Sequence, residues 1–310
     1  MKYTISVFDD PKRIPELVKL FRTGLGETSA EHWRWRLFTP NGLEDQPFAV
    51  VAREEESERL LGVSTVIPVY YGKDKIKAIL FGDWVVHPSA RGQGIIGKIF
   101  EYICAYAKEN GYSFMITFPN QNSYPILKKY GFEDLEGVFS WNSSTSLFLR
   151  KRSPKNKEIK GVSYRFSETC PFEGEIPQYN GRLYRNASLL RWKYDLNPDE
   201  HYTWLTLWKE DLCLGYFVYQ LTKGRLRTAV NVYDWAYYEK DPECFKEAVA
   251  LLQKQGNFVS FWGKYDEDTQ SLLEECGFKK DKGRAVCIVK SVTGDELPAS
   301  LTLTRIDTDY

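Results

Sequence analysis

Three short strings in the first half of this chain return, in the same order, in the second. HWRWRLFTP (32–40) is matched by LLRWKYDLNP (189–198), FGDWVV (81–86) by VYDWAY (232–237), and LKKYGF (127–132) by LEECGF (273–278). The matches align Trp35 with Trp192, Asp83-Trp84 with Asp234-Trp235, and Gly131 with Gly277. Ordered self-similarity of this kind restricts the fold to two copies of one structural unit. The 310 residues accommodate two units of ordinary domain size. Between them runs RKRSPKNKEIKG (150–161), polar, basic and broken by a proline, which reads as a connector. The expected division is therefore 1–150 and 162–310, with 151–161 as linker.

Composition narrows the class of function. Lys plus Arg and Asp plus Glu each number 42, so the formal charge is zero. A protein that neutralises nucleic-acid phosphates over an extended face needs a basic excess, and none is present. A hydrophobic fraction of 43%, with 15% aromatic residues, supports packed cores. The six cysteines show no C-x-x-C spacing, and His32, His87 and His201 form no ligand set, so no metal is assigned. The start MKYTISVFDDPKR is interrupted by acids within nine positions, unlike a leader peptide. No stretch is long and apolar enough for a membrane span. These features lead us to expect a cytoplasmic protein with no nucleic-acid or membrane partner.

Periodicity gives a mixed α/β order. Strand patterns at 2–8, 47–53, 60–70 and 75–86 are joined by helical patterns at 11–24 and 29–38. A helix from Gly94 carries Ile95, Ile96, Ile99, Phe100, Ile103 and Ala107 on one face. A strand at 112–118, a helix at 122–130 and a strand at 138–149 follow. The copies differ between their anchors. Trp84 precedes Gly111 by 27 residues, whereas Trp235 precedes Gly256 by 21, and the missing six fall where the first copy holds VHPSARGQG.

That string is where the chemistry is expected. In GDWVVHPSARGQGIIGKIF (82–100) a strand turns at His87-Pro88 and feeds Arg91-Gly92-Gln93-Gly94 into an amphipathic helix. Two glycines let the backbone approach a bulky anion without a Cβ in the way. The first helical N–H groups have no intrahelical partner and, with the macrodipole, receive phosphate oxygens. Arg91 adds a fixed positive charge.

The arrangement resembles motif A of the GNAT superfamily of acyl-CoA-dependent N-acetyltransferases, Arg/Gln-x-x-Gly-x-Gly/Ala after the fourth strand. FPNQNSYPILKKYGF (118–132) resembles that family's fifth strand, fourth helix and closing Gly-Phe. The W-R-W-R, D-W-V-V-H-P and F-P-N-Q-N-S-Y strings are more narrowly similar to bacterial acetyltransferases tied to surface-polysaccharide synthesis. The resemblance covers about residues 1–150 and implies a mixed, mostly antiparallel twisted sheet flanked by helices. The second copy is expected to be degenerate, without the diphosphate loop. Two positions depart from the pattern: Ile96 stands where Gly or Ala is usual, and Leu127 where many relatives carry a tyrosine.

The resemblance implies acetyl-CoA as co-substrate, held by the backbone of Val85 and Val86 and by Arg91, Gly92, Gln93, Gly94, Ile95 and Ile96. Asn120 and Asn122 would contact pantetheine or cap the following helix. A primary amine of a small molecule, amino sugar or peptide would attack the thioester directly. The Val86 amide is the candidate oxyanion donor. Asp83 is the candidate base, against a fold role suggested by its retention as Asp234. Tyr124 is the nearby candidate acid, and Trp33 the candidate acceptor contact. Two alternatives are an acyl-CoA sensor without turnover and an aminoacyl-tRNA-dependent peptide ligase.

Overall fold

The structure is a computed structural model describing residues 2–145, 154–174, 176–178, 182–225, 227–239, 241–281, 286–294 and 301–305. The first half runs β1 (Tyr3–Val7), α1 (Ile14–Phe21), α2 (Ala30–Phe38), β2 (Phe48–Glu54), β3 (Leu60–Tyr71), β4 (Ile76–Val86), α3 (Ile95–Glu109), β5 (Phe114–Thr117), α4 (Tyr124–Lys129), β6 (Glu133–Asp134) and β7 (Val138–Ser144). The second runs β8 (Lys157–Ile159), β9 (Val162–Ser167), α5 (Ala187–Leu190) continuing as a π-helical turn (Arg191–Asp195), β10 (Thr203–Lys209), β11 (Leu212–Lys223), β12 (Thr228–Tyr237), α6 (Pro242–Gln253), β13 (Phe258–Lys264), α7 (Glu267–Glu275), β14 (Lys279–Asp281), β15 (Ile288–Ser291) and β16 (Leu303–Thr304).

Two sheets result, and their orders match. The first is β1-β2-β3-β4-β5-β15-β6; the second is β14-β7-β13-β12-β11-β10-β9-β8, with β16 beside β13. Among the described residues, the only parallel pair in each is the one flanking the splayed centre, β4 with β5 and β12 with β13. Each sheet takes one strand from the other half. β7 lies between β13 and β14, and β15 lies between β5 and β6. The sheets therefore do not divide at residue 150: Val138–Ser144 belong to the second and Ile288–Ser291 to the first. Of the expected linker, residues 151–153 lie outside the described residues, and β8 already occupies 157–159. Near the C-terminal end, Leu303–Thr304 pair with β13; residues 306–310 lie outside the described set.

The period-2 pattern of β2 explains how the first sheet is covered on both faces. Val50 and Ala52 point to one side, where Ile95, Ile99, Phe100, Ile103 and Ala107 of α3 cover them. Ala49 and Val51 point to the other, under Leu17, Leu20 and Phe21 of α1 and Trp33 and Leu37 of α2. A third cluster sits where the strands cross over, joining Ile67, Val69, Leu80 and Ile116 to Val289, Leu301 and Leu303.

The repeat anchors meet physically. Trp35 and Trp192 stack with centroids 5.0 Å apart and planes at 24°. Each indole donates to the other's backbone carbonyl, Trp35 Nε1 to Trp192 O at 2.7 Å and Trp192 Nε1 to Trp35 O at 3.3 Å. The helices carrying them are capped alike: Ser29 accepts from the His32 amide, and Asn186 from the Leu189 amide. Gly131 and Gly277 both sit at φ +80° after their helices. Among the described residues no helix is long and apolar enough to cross a membrane.

A pair so placed predicts coupled halves. Trp192→Ala should destabilise by about 3–5 kcal/mol. Urea unfolding followed by fluorescence and by far-UV circular dichroism should remain one coincident transition, because neither sheet is complete alone.

Candidate active site

The centre of the first sheet opens because β4 and β5 pair only over Ala78–Leu80 and Phe114–Ile116. Beyond that, Thr117 Oγ1 donates to the Phe81 carbonyl at 2.8 Å and closes the last rung. β4 then bulges: Thr65 pairs with Gly82 but Val63 with Val85, so one extra residue is inserted in β4. Asp83 sits in this bulge at φ +52°, a left-handed conformation that few non-glycine residues adopt. The strands diverge into a cleft of about 630 Å³. Its lining includes Asp83, Trp84, Val85, Val86, Arg91, Ile96, Asn120 and Asn122.

The predicted loop has the expected shape. Gly92 and Gly94 lie at φ +78° and +75°, and Gly94 is the N-cap of α3 without a side-chain capping bond. The first intrahelical bond is made by Lys98 N to Gly94 O, leaving the Ile95, Ile96 and Gly97 amides without helical partners. α3 can approach the sheet because Gly62 lacks a Cβ, which would lie 2.6 Å from Ile95 Cγ2. Gly97 is small for a similar reason: a Cβ there would meet the Tyr130 hydroxyl at 2.5 Å. Ile96, in the place where the family pattern has Gly or Ala, is half-buried and lines the cleft.

Along the free edge of β4 the register fixes which backbone groups are exposed. The His87 amide donates to Leu61 O across the sheet. By antiparallel alternation, Val86 turns its N–H and C=O the other way, toward the cleft. Arg91 Nε donates to that Val86 carbonyl at 3.4 Å, tying the cation to the strand end. Asn120 organises the facing rim, its Oδ1 accepting from the Asn122 and Ser123 amides at 2.9 and 3.1 Å. The turn ahead of α4 is thus built by Asn120, while Asn122 supplies only its amide.

Three predicted residues are placed differently. Trp33 is 1% exposed, packed on Phe21 at 4.3 Å inside the helix-covered core, so it touches no acceptor. Trp84 is half-buried against Phe81 and Phe100 and lines the cleft. Tyr124 does not line the cleft; its hydroxyl donates to Asp134 at 2.8 Å, and this carboxylate raises its pKa, making it a poorer acid. Leu127, at the position usual for tyrosine, is buried in the α3-side core. Asp83 is in the cleft, but its Oδ2 accepts from both Arg36 Nη2 and Thr65 Oγ1 at 2.7 Å. Arg36 is buried on α2 and Thr65 on β3, and no sequence spacing links either to Asp83.

The corresponding region of the second half has the opposite polarity. β12 runs almost directly into α6, whose N-cap Asp241 accepts from the Glu243 amide and whose first residue is Pro242. The cleft beside it, about 540 Å³, is lined by Glu239, Asp266, Asp268 and Glu275 together with Arg182 and Trp235. A carboxylate already caps the helix end and acids surround it, so this cleft disfavours a diphosphate. Asp234 is buried and bonded to Arg185, Tyr216 and Thr304, a purely structural set of partners. Among the described residues no group of three potential metal ligands occurs.

The loop glycines carry a measurable cost. Gly94→Ala places a Cβ at φ +75° and should destabilise by about 1–2 kcal/mol, read as a lower urea midpoint at unchanged m-value.

Comparison with known proteins agrees with this geometry. Residues 10–134 match the family model of the acetyltransferase (GNAT) domain. A GCN5-related N-acetyltransferase from Anabaena variabilis superposes with TM-score 0.66 at 13% identity, over 94% of this chain and 73% of its own. A conserved Enterococcus faecalis protein described as a probable N-acyltransferase gives 0.65 at 14% identity, over 94% and 73%. A tandem GNAT protein from the clavulanic acid biosynthesis pathway gives 0.53 at 11% identity, over 95% of this chain and all of its own. No curated protein sequence matches. The matched model and the superpositions agree: residues 10–134 are similar to the acetyltransferase (GNAT) domain, and the chain carries the GNAT fold in tandem.

Proposed function

We propose that the first half is an N-acyltransferase that moves an acetyl or other short acyl group from acyl-CoA to a primary amine. The observation that carries this reading is the coincidence of three features in one cleft. They are a free strand edge at Val86, an uncapped helix N-terminus behind two left-handed glycines, and Arg91 between them. The amides at Gln93 to Ile96 and the Arg91 guanidinium suit a diphosphate. Val86 offers its C=O to a pantetheine N–H in the manner of an added strand, which leaves its own N–H for the acyl carbonyl. Asn120 and Asn122 line the wall opposite.

In this reading the neutral amine adds to the thioester carbonyl, the C–N bond forms, and the C–S bond breaks to release a thiolate. The Val86 amide stabilises the oxygen that gains charge. Tyr124 is engaged with Asp134, so the departing thiolate takes its proton from solvent. The acceptor enters from the side of α1 and α2, where Gly24 and Leu25 form the rim. Its class is a small amine, an amino sugar or a peptide amine. Metal ions have no role in these steps, and we place the reaction in the cytoplasm.

A second reading, an acyl-CoA-binding protein without turnover, is favoured by Leu127 in place of the usual acid. Release of free thiol in the presence of acetyl-CoA and a panel of amines separates the two. Arg91→Glu combined with Gly94→Glu should weaken acetyl-CoA binding at least about tenfold, or roughly 1.4 kcal/mol, measured by calorimetry. Unchanged affinity in that variant would remove the basis of both readings.

A further inference from the structure

The two repeat aspartates differ in what their second carboxylate oxygen does. In the second half Asp234 uses both: Oδ2 accepts from Arg185 and Tyr216, and Oδ1 from Thr304 of β16. In the first half Arg36 and Thr65 both bond Oδ2 of Asp83, and Oδ1 accepts no hydrogen bond among the described residues. The Asp83 side chain keeps 26% of its surface exposed, against 2% for Asp234, and it lines the cleft. A carboxylate held through one oxygen and open at the other is a receptor for a cationic donor.

We propose that Asp83 Oδ1 docks the ammonium of the acceptor, and that the acceptor is an apolar monoamine of the alkyl or arylalkyl class. This assignment rests on the transferase reading above and selects among the acceptor classes named there. α3, whose N-terminus suits the diphosphate, covers one face of the first sheet. Arg36 belongs to α2 on the opposite face, where Val85 also packs against α1 and α2. A pantetheine that follows Val86 through the opening from the α3 face presents its acyl end toward the face that carries Asp83. The docked ammonium releases one proton to solvent and attacks as the neutral amine, and the C–N bond forms as the C–S bond breaks.

The rest of the cleft selects the body of that amine. Asp83 and Arg91 are the only titratable side chains among the described residues that line it, and Arg91 is held at the Val86 carbonyl. With Arg91 given to the diphosphate, a second ammonium or a carboxylate on the acceptor finds no counter-charge. Leu25 and Ile126, from the turn after α1 and from α4, line the same cleft while 53% and 40% exposed. Phe118 continues this apolar wall, backed by Trp262 of the second half with ring centroids 5.6 Å apart. Thr117 Oγ1 is committed to the Phe81 carbonyl and Ser123 Oγ to Asn120, so the hydroxyls of a sugar ring find few partners. Exposed apolar side chains gathered at a cleft are surface that an apolar ligand would cover.

The test follows free-thiol release from acetyl-CoA with ethylamine, butylamine, hexylamine, 2-phenylethylamine, glucosamine, spermidine and glycylglycine. From ethylamine to hexylamine, kcat/KM should rise about fourfold for each added methylene, and the apolar monoamines should outrun the other three classes. Asp83→Asn keeps an oxygen for Arg36 and Thr65 and tolerates the left-handed backbone. It should raise the amine KM about 10- to 100-fold while kcat at saturating amine changes less than about threefold, with acetyl-CoA affinity unchanged. An unchanged amine KM overturns the docking role, and so does a collapse of kcat alone, which would assign Asp83 to proton transfer. Leu25→Gln, at an exposed position, should flatten the gain with chain length, a readout that survives if the aspartate variant fails to fold; an undiminished gain overturns the apolar wall. Preference for glucosamine, spermidine or glycylglycine overturns the acceptor class and leaves the transferase reading standing. Wild-type protein that binds acetyl-CoA but acetylates no amine overturns the transferase reading, and the acceptor assignment with it.

Discussion

The reciprocal loan of one strand by each half governs the rest of this structure. A sheet missing the strand beside its splayed centre would expose a row of unpaired backbone groups along β5 or β13. Here β15 covers β5 and β7 covers β13, so each half completes the other's hydrogen bonding. The apolar cluster containing Ile116, Val289 and Leu303 then buries the crossing point. On the opposite side the Trp35–Trp192 stack locks the approach of α2 and α5. With both ends fixed, the second half holds Asp199 against His32 of α2.

Duplication gave two scaffolds, and the chemistry of their helix ends separated them. In the first, Gly94 ends the loop without a side chain, so the positive end of α3 stays open. In the second, the shortened connection puts Asp241 and Pro242 at the same end of α6. The aspartate occupies the Glu243 amide that a phosphate would need, and the proline removes one more donor. Asp83 and Asp234 both keep an arginine partner, but the arginines come from different places: Arg36 on α2 and Arg185 on the segment before α5. The shared need is a carboxylate that fastens the bulged strand, and it is met twice by unrelated neighbours.

Much of the site was legible because it depends on local backbone demands. Gly92 and Gly94 lie at left-handed φ, and Val85 and Val86 precede them on the same strand, so a short string sufficed to place all four. The six-residue gap in the second copy likewise marked the lost loop. Trp33, the candidate acceptor contact, instead fills space beside Phe21 in the helix-covered core, a tertiary fit that no local pattern records. Tyr124 was misplaced because its partner, Asp134, comes from the strand after the helix.

The sequence by itself determined the duplicated plan, the glycine loop and the helix that it opens, since each depends on residues within a few positions of one another. Only the tertiary structure decided which half receives β7 and β15, which side chains hold Asp83, and that His32 meets a carboxylate 167 positions away. Strand edges of the two copies offer similar hydrogen-bonding rows, so local pattern cannot choose between them. The choice is made by chain connectivity and by the packing of the two cores against each other.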